Sequence, residues 1–340
     1  MIIYAPECEP QFESFGIEIP IRNNRSQRVV EELQSRFPQI SEQIVFRVKR
    51  SDFTVFNRRD LRYAHDRDYV RALVDGDPTE AIMAAYELVD QAGNFQRYNP
   101  SKAQRELHEL RDLMIAHASV TLLGAYIALE EDFCFFLGGG MHHAMSFGGR
   151  GFCLVHDVVI TLKKMIADFH LRTAWIIDLD AHKGDGSAQI LKGESERIKT
   201  LSIHMKNGWP LNEGDASSPW REPSFLDIEM DEGQEHLYND RLKMGLAELD
   251  RRSKHRPGLA VVLAGQDPYE LDELPSSSPM KLTRAQLLER DLLVYETLKK
   301  QGIPQLWLLA GGYGEHAYEI PLQFLSHLIE CGAIPKSHEA

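Results

Sequence analysis

A chain of 340 residues, 43% hydrophobic and 26% charged, holds ample apolar material for a large core and excludes disorder as its main state. Its 38 Lys and Arg against 51 Asp and Glu leave a net charge of −13, which repels phosphate backbones and excludes nucleic acid as an expected partner. Four cysteines, Cys8, Cys134, Cys153 and Cys331, stand without a CxxC pair, so neither a disulfide framework nor a zinc knuckle is expected, and a cytoplasmic setting is.

The first residues, Met1 to Pro6, lack the basic and apolar regions of a secretion signal, and Glu7 and Glu9 follow at once. The longest mostly apolar stretch, 113–129, is interrupted by His117, Ser119 and Thr121. It falls short of the roughly 20 residues that span a bilayer, so it reads as a buried helix and no membrane contact is expected. Beyond it, short apolar runs at 133–137, 174–177, 200–203, 259–263 and 306–309 alternate with helical stretches at 157–169, 234–252 and 284–301. Runs apolar on both faces suit a covered parallel sheet. The alternation predicts an α/β fold, a single open, mostly parallel sheet with helices on both faces, in one domain over residues 1–340.

Each predicted strand is followed closely by polar or glycine-rich residues: Gly138-Gly139-Gly140, Asp178-Leu179-Asp180, His204, Gly265-Gln266-Asp267 and Gly311-Gly312-Tyr313. In open α/β sheets the ligand site gathers at the carboxyl ends of the strands, so these clusters could meet in one pocket.

Asp180 and His182, two residues apart, point to one side of an extended segment and offer a carboxylate and an imidazole to a metal. Taken alone, such a pair is equally a strand-end turn with solvated acids. Asp267 would add a third ligand, and two carboxylates with one imidazole leave an open position, the arrangement of a catalytic zinc. Asp178 brings another carboxylate close by, to be balanced by a monovalent cation or a cationic histidine, unless it caps a loop amide. After their glycine-rich bend, His142 and His143 can both line a pocket, one taking a proton from water and the other managing charge near the leaving group. Asp178 and Asp185 could orient them, since a carboxylate on the far ring nitrogen fixes the tautomer. Tyr313 could aim its O–H at the oxyanion of a tetrahedral intermediate, although Gly-Gly-Tyr by itself is simply a turn.

In order and spacing these clusters resemble the zinc-dependent histone deacetylase family of the arginase/deacetylase superfamily. The resemblance runs from about Tyr63 to Ala317 and rests on Gly139-Gly140-Met141-His142-His143-Ala144, Gly151-Phe152-Cys153, Asp178-Leu179-Asp180-Ala181-His182, Ser202-Ile203-His204, Gly265-Gln266-Asp267 and Gly311-Gly312-Tyr313. It implies an arginase/deacetylase-like fold, Zn²⁺ on Asp180, His182 and Asp267, His143 as general base, His142 as its electrostatic partner and Tyr313 as oxyanion donor. It also implies K⁺ on Asp178, Asp180, His182, Ser202 and the backbone of Ile203. Gly151, Phe152 and Trp209 would line a narrow tunnel around an alkyl chain.

The sequence departs from the family pattern in places. Lys183 stands where a second His or a Gln is common, and His156 where Asn usually precedes Asp157. The loop 95–100 lacks the carboxylate with which many members grip the substrate backbone. Leu274 stands where polyamine-specific members carry a glutamate, which favours acyl-lysine, although Glu270 and Glu273 are near. The expectation is a zinc-dependent lysine deacylase acting through water, with an acetylpolyamine or other small acyl-amine amidohydrolase as the alternative and a non-catalytic acyl-lysine binder behind both.

Overall fold

The computed structural model of the chain describes residues 1–22, 24–90 and 92–334. Its centre is one eight-stranded sheet in the order β2-β1-β3-β8-β7-β4-β5-β6. The strands are β1 (Ile2–Tyr4), β2 (Val45–Arg47), β3 (Phe133–Phe136), β4 (Ala174–Asp178), β5 (Ile198–Met205), β6 (Leu226–Met230), β7 (Leu259–Leu263) and β8 (Gln305–Leu308). Every pairing is parallel, so the expected mostly parallel sheet is parallel throughout.

Such a sheet needs cover on both faces, and alternate side chains of each strand feed two separate cores. Phe133, Phe135, Trp175, Ile177, Val262 and Trp307 pack on one side, against α1 (Arg25–Arg36), α9 (Tyr238–Arg252), α10 (Arg284–Lys300) and α11 (Glu319–Glu330). Cys134, Phe136, Ile176, Val261, Leu306 and Leu308 pack on the other, against α6 (Glu109–Glu131) and α7 (Asp157–Asp168). The shorter helices α2 (Pro38–Ile44), α3 (Arg58–Leu61), α4 (Arg67–Val74), α5 (Thr79–Ala85) and α8 (Asp185–Ile190) fill the connections.

Helix α6 contains the expected buried stretch. Among the described residues it is the one helix long and apolar enough to cross a membrane, and most of its length is buried within the protein. Helix α10 starts where Thr283 and Gln286 each accept the other's backbone N–H, a reciprocal cap that stops the helix from fraying. The expected helix at 234–252 is split, because a 3₁₀ turn at Glu235–Leu237 precedes α9.

The register positions the site. Phe136 pairs with Leu308, Leu308 with Leu263, Leu263 with Asp178, and Asp178 with Ser202. Four adjacent strands, β3, β8, β7 and β4, thus end on one line, and the segments that leave them emerge side by side. His204 is the exception among the predicted clusters. Strand β5 continues to Met205, so His204 lies within the strand and not in the loop after it.

Candidate active site

The loop after β3 turns sharply because Gly139 and Gly140 take φ of 70° and 85°. A Cβ on Gly140 would come within 2.9 Å of Ala310, so glycine lets this loop pack against the loop after β8. The bend is clamped by Asp157 at the start of α7. Its carboxylate accepts the N–H groups of Gly140 at 2.9 Å and Met141 at 2.8 Å and the Thr121 hydroxyl at 2.6 Å. His142 and His143 then face the same cavity with ring centroids 3.9 Å apart, which an extended chain would not allow.

Each imidazole has its own carboxylate. His142 Nδ1 donates to Asp178 Oδ2 at 2.7 Å, and His143 Nδ1 donates to Asp185 Oδ1 at 2.6 Å. The two rings are nevertheless pushed in opposite directions. Burial works against a proton on His142, but the charges of Asp178 and Asp180 and the bond to Asp178 outweigh it and raise its pKa to about 9. Burial, together with the positive charge of His142 and His182, holds His143 well below its ordinary value. The surroundings therefore favour a proton on His142 and a neutral His143, whose Nε2 has no hydrogen-bond partner among the described residues.

Asp180, His182 and Asp267 leave β4 and β7 and bring three donor atoms within 4.8 Å of one another, all of them buried. His182 Nδ1 lies 2.8 Å from Asp267 Oδ2 and 3.2 Å from Asp180 Oδ1. Its Nε2 is taken by Ser276 Oγ at 3.0 Å, which leaves Nδ1 for the cluster. The second carboxylate oxygens are held by backbone amides, Ala181 N–H on Asp267 Oδ1 and Gly311 N–H on Asp180 Oδ2, each at 2.9 Å. Burial acts against charge on His182, yet hydrogen bonds and charges from Asp180 and Asp267 raise its pKa to about 10, so the protein's own field draws positive charge to this point. Two carboxylate oxygens and one imidazole nitrogen converging there fit a divalent cation such as zinc. Asp180, with His142 and His143, forms a second such group, so the two groups share this residue.

Tyr313 closes the cavity from the loop after β8. Its backbone N–H donates to Asp272 Oδ2 at 2.7 Å, and its ring stands 6.1 Å from that of Phe152. Burial and the nearby charges of Asp180 and Asp267 push its phenol far above the ordinary range, so it keeps its proton and remains a donor. A cavity of about 130 Å³ is lined by these groups, including His142, His143, Gly151, Phe152, Asp180 and Tyr313.

The remaining expected residues are placed as follows. Trp209 stands edge-on to His143 at 4.5 Å and His182 at 5.6 Å, outside the lining of that cavity. Leu274 is buried beside a 3₁₀ turn and does not line it. Ser202 Oγ pairs with His204 Nδ1 at 3.0 Å, and Ile203 is buried in β5. His204 turns toward Asp227, 4.0 Å away, which Lys183 Nζ meets at 2.7 Å. His156 caps α7 through its Nδ1, which explains how it can replace an asparagine there. In the loop without a carboxylate, Arg97 forms an ion pair with Glu87 and lies over the Phe152 ring at 5.4 Å.

Sequence reasoning missed several residues of the site. Arg25 enters the cavity from α1 and donates to Gln266 Oε1 at 2.9 Å and to the carbonyls of Gly312 and Ala310. Glu9 lines the same end, its carboxyl pushed up to about 7 by burial. Neither sits in a motif, and only the fold brings the first residues of the chain to the ends of β3 and β8. Arg150, hydrogen-bonded to Asp185, did carry a signal, since it directly precedes Gly151-Phe152.

Comparison with known proteins agrees with this geometry. The profile of the histone deacetylase domain matches residues 19–324. The chain is similar to an uncharacterized protein of Picosynechococcus sp., 28% identical over 266 residues that make up 78% of each chain. It is 26% identical to histone deacetylase 2 of Arabidopsis thaliana over 81% of this chain and 66% of that one. It is 27% identical to type-1 histone deacetylase 1 of Dictyostelium discoideum over 54% of this chain and 36% of that one. The match thus spans two thirds or less of the length of these two named relatives.

Proposed function

Because the chain belongs to the histone deacetylase family, we propose that it is a zinc-dependent deacetylase-type hydrolase that removes acyl groups from lysine side chains. The observation that supports this best is that His142 and His143, each on its own carboxylate, and Tyr313 line one cavity that reaches Asp180, a member of the Asp180-His182-Asp267 donor set.

A zinc ion held by Asp180, His182 and Asp267 would supply Lewis acidity to the acyl carbonyl and make a neighbouring water more acidic. The chain's own residues do the rest. His143, with Nδ1–H directed to Asp185, presents a free Nε2 that takes the proton of the attacking water. Tyr313 donates its O–H to the oxyanion as the carbonyl carbon becomes tetrahedral. His142, charged and held by Asp178, stabilises the negative charge of that intermediate, and the proton gained by His143 goes to the departing lysine amine. Phe152 and Trp209 would enclose the apolar stem of the lysine and exclude water. K⁺ beside Asp178, with Asp180, His182, Ser202 and the backbone of Ile203, would answer the remaining negative charge. We take the chain as one catalytic domain that works in the cytoplasm.

The deciding experiment incubates zinc-loaded protein with acetyl-, lactyl- and longer acyl-lysine peptides and with acetylated polyamines in one plate, reading the free amine. Peptide turnover is expected, and it would rank the acyl groups. Turnover of polyamines alone would move the substrate to small amines. Silence throughout would defeat the proposal and favour a binder that lacks catalysis.

A further inference from the structure

Asp185 is fully buried and has two carboxylate oxygens with different partners. Oδ1 accepts from His143 Nδ1 at 2.6 Å and from the Gly186 N–H at 3.0 Å. Oδ2 accepts from Arg150 Nη1 at 3.1 Å. The other end of the same guanidinium pairs with Glu213 at the surface. Its face is not free either, because the guanidinium carbon lies 4.9 Å from the ring centre of Trp209 and 4.3 Å from that of Trp220. Trp220 in turn donates its indole N–H to the Glu213 carbonyl at 3.0 Å. One planar cation therefore touches the carboxylate behind His143 and the indole that stands edge-on against the His143 ring.

The physical consequences follow from that geometry. A buried carboxylate bound only to an imidazole and one amide is costly to keep ionised, and an adjacent guanidinium offsets the cost. A carboxylate gripped on both oxygens also cannot turn about its own axis, so Oδ1 stays aimed at Nδ1 and the proton of His143 stays on Nδ1. Lysine could supply the charge but not a planar fork with two faces and five donors.

We infer that Arg150 is a positioning residue for the proposed hydrolysis, fixing the plane of the Asp185 carboxylate and through it the orientation and tautomer of His143, while it holds Trp209 against the same ring. This rests on the proposed function for its kinetic consequence alone, since the hydrogen bond it controls exists without turnover.

The test compares zinc-loaded wild-type protein, Arg150→Ala and the milder Arg150→Lys. The His143 Nδ1 proton is followed by NMR, assigned by its loss in His143→Ala, and kcat and KM are measured on the best acyl-lysine peptide. In Arg150→Ala the strongly deshielded Nδ1 resonance is expected to shift or broaden, with kcat falling about 10- to 100-fold, the usual penalty for losing an outer partner of a site ligand, and KM changing far less. Arg150→Lys should lie between the two. Millimolar guanidinium, but not sodium at equal ionic strength, should restore part of kcat to Arg150→Ala. An unchanged resonance in both variants would overturn the inference, and so would a loss of kcat that guanidinium fails to rescue, because that is a merely structural effect. Were wild-type protein silent on every acyl substrate, the proposed function would fail while the NMR comparison still decided the role of Arg150.

Discussion

His143 and Asp185 share a 2.6 Å hydrogen bond in which the imidazole donates from Nδ1 to a carboxylate with no solvent exposure. That single bond sets which ring nitrogen is left to act as the base in the proposed hydrolysis. Replacing Asp185 by Asn puts an amide opposite Nδ1 and favours the wrong tautomer. The Asp185→Asn variant should lose about 10²–10⁴ in kcat, by analogy with the tautomer loss in a Ser-His-Asp triad, while its circular dichroism and melting temperature stay near wild type. Retention of most of the turnover would remove His143 from the role of base.

Tyr313 is buried and its phenol is held far above its ordinary pKa, so it is a donor at any working pH. Removing one oxyanion donor costs about 10²–10³ in turnover in comparable sites. Tyr313→Phe should show that loss in kcat without unfolding, because the hydroxyl makes no hydrogen bond that supports the fold among the described residues. Steady-state kinetics with wild-type turnover would show that the oxyanion is held elsewhere.

The Asp180-His182-Asp267 donor set predicts linkage between metal and stability. Zinc that binds only the folded chain should raise the melting temperature as its concentration rises, and a chelator should reverse the shift. Asp267→Asn removes a ligand that also accepts the Ala181 N–H, and it should abolish the zinc-dependent part of the shift. Calorimetric scans with and without zinc check this. An Asp267→Asn protein that still gained stability from zinc would place the metal at other residues.

Gly311 follows β8 and its N–H holds Asp180. A Cβ there would overlap the Asp180 carboxylate and crowd that of Asp267. Gly311→Ala should therefore cost at least about tenfold in zinc affinity, the scale of an altered outer contact to a metal ligand, with most of the fold's stability retained. A competitive chelator titration measures it.

Two buried histidines outside the reaction give a pH dependence of known sign. His117 Nδ1 donates to the Cys8 carbonyl and its Nε2 accepts the Gly139 N–H, while His65 bridges the Met145 carbonyl and the His156 N–H in the same way. A second proton would destroy the acceptor in each, and burial lowers both pKa values from 6.5 to about 4. Below pH 6.5 the unfolded chain binds protons that the folded chain refuses, so these groups make stability fall as pH drops from 6.5 toward 4. Each contributes up to about 1.4 kcal/mol per pH unit. Urea unfolding at several pH values should show His117→Asn less stable than wild type at pH 7, with the gap narrowing toward pH 5. A constant gap would mean that folding does not lower the pKa of His117.

The α/β architecture and the chemistry-bearing clusters are legible in the sequence because both are local. Runs such as 174–177 and 259–263, apolar on both faces, must lie in a covered parallel sheet, and Asp180-x-His182 stands out by its place just after one of them, although both residues lie in the bend beyond β4 and not in the strand. The strands that escape are β1 and β2, of three residues each, and the edge strand β6, whose half-exposed residues carry no apolar run. His204 falls inside β5 because the strand outlasts the run at 200–203, continuing through His204 to Met205.

What the tertiary structure decides is distance between residues far apart in the chain and the charge each group carries there. Identical, equally buried imidazoles at 142 and 143 are pushed in opposite directions, because the charges of Asp178 and Asp180 raise the pKa of one while the positive charge of its neighbours lowers that of the other. Arg150 meets Asp185 and Asp157 meets the glycine bend only in the folded chain, and Arg25 and Glu9 reach the cavity because the sheet order puts β1, β3 and β8 side by side. Residue type and spacing determine which chemistry the chain can attempt. Desolvation and the few ångströms between charges determine which residue performs each part of it, and those exist only once the sheet has assembled.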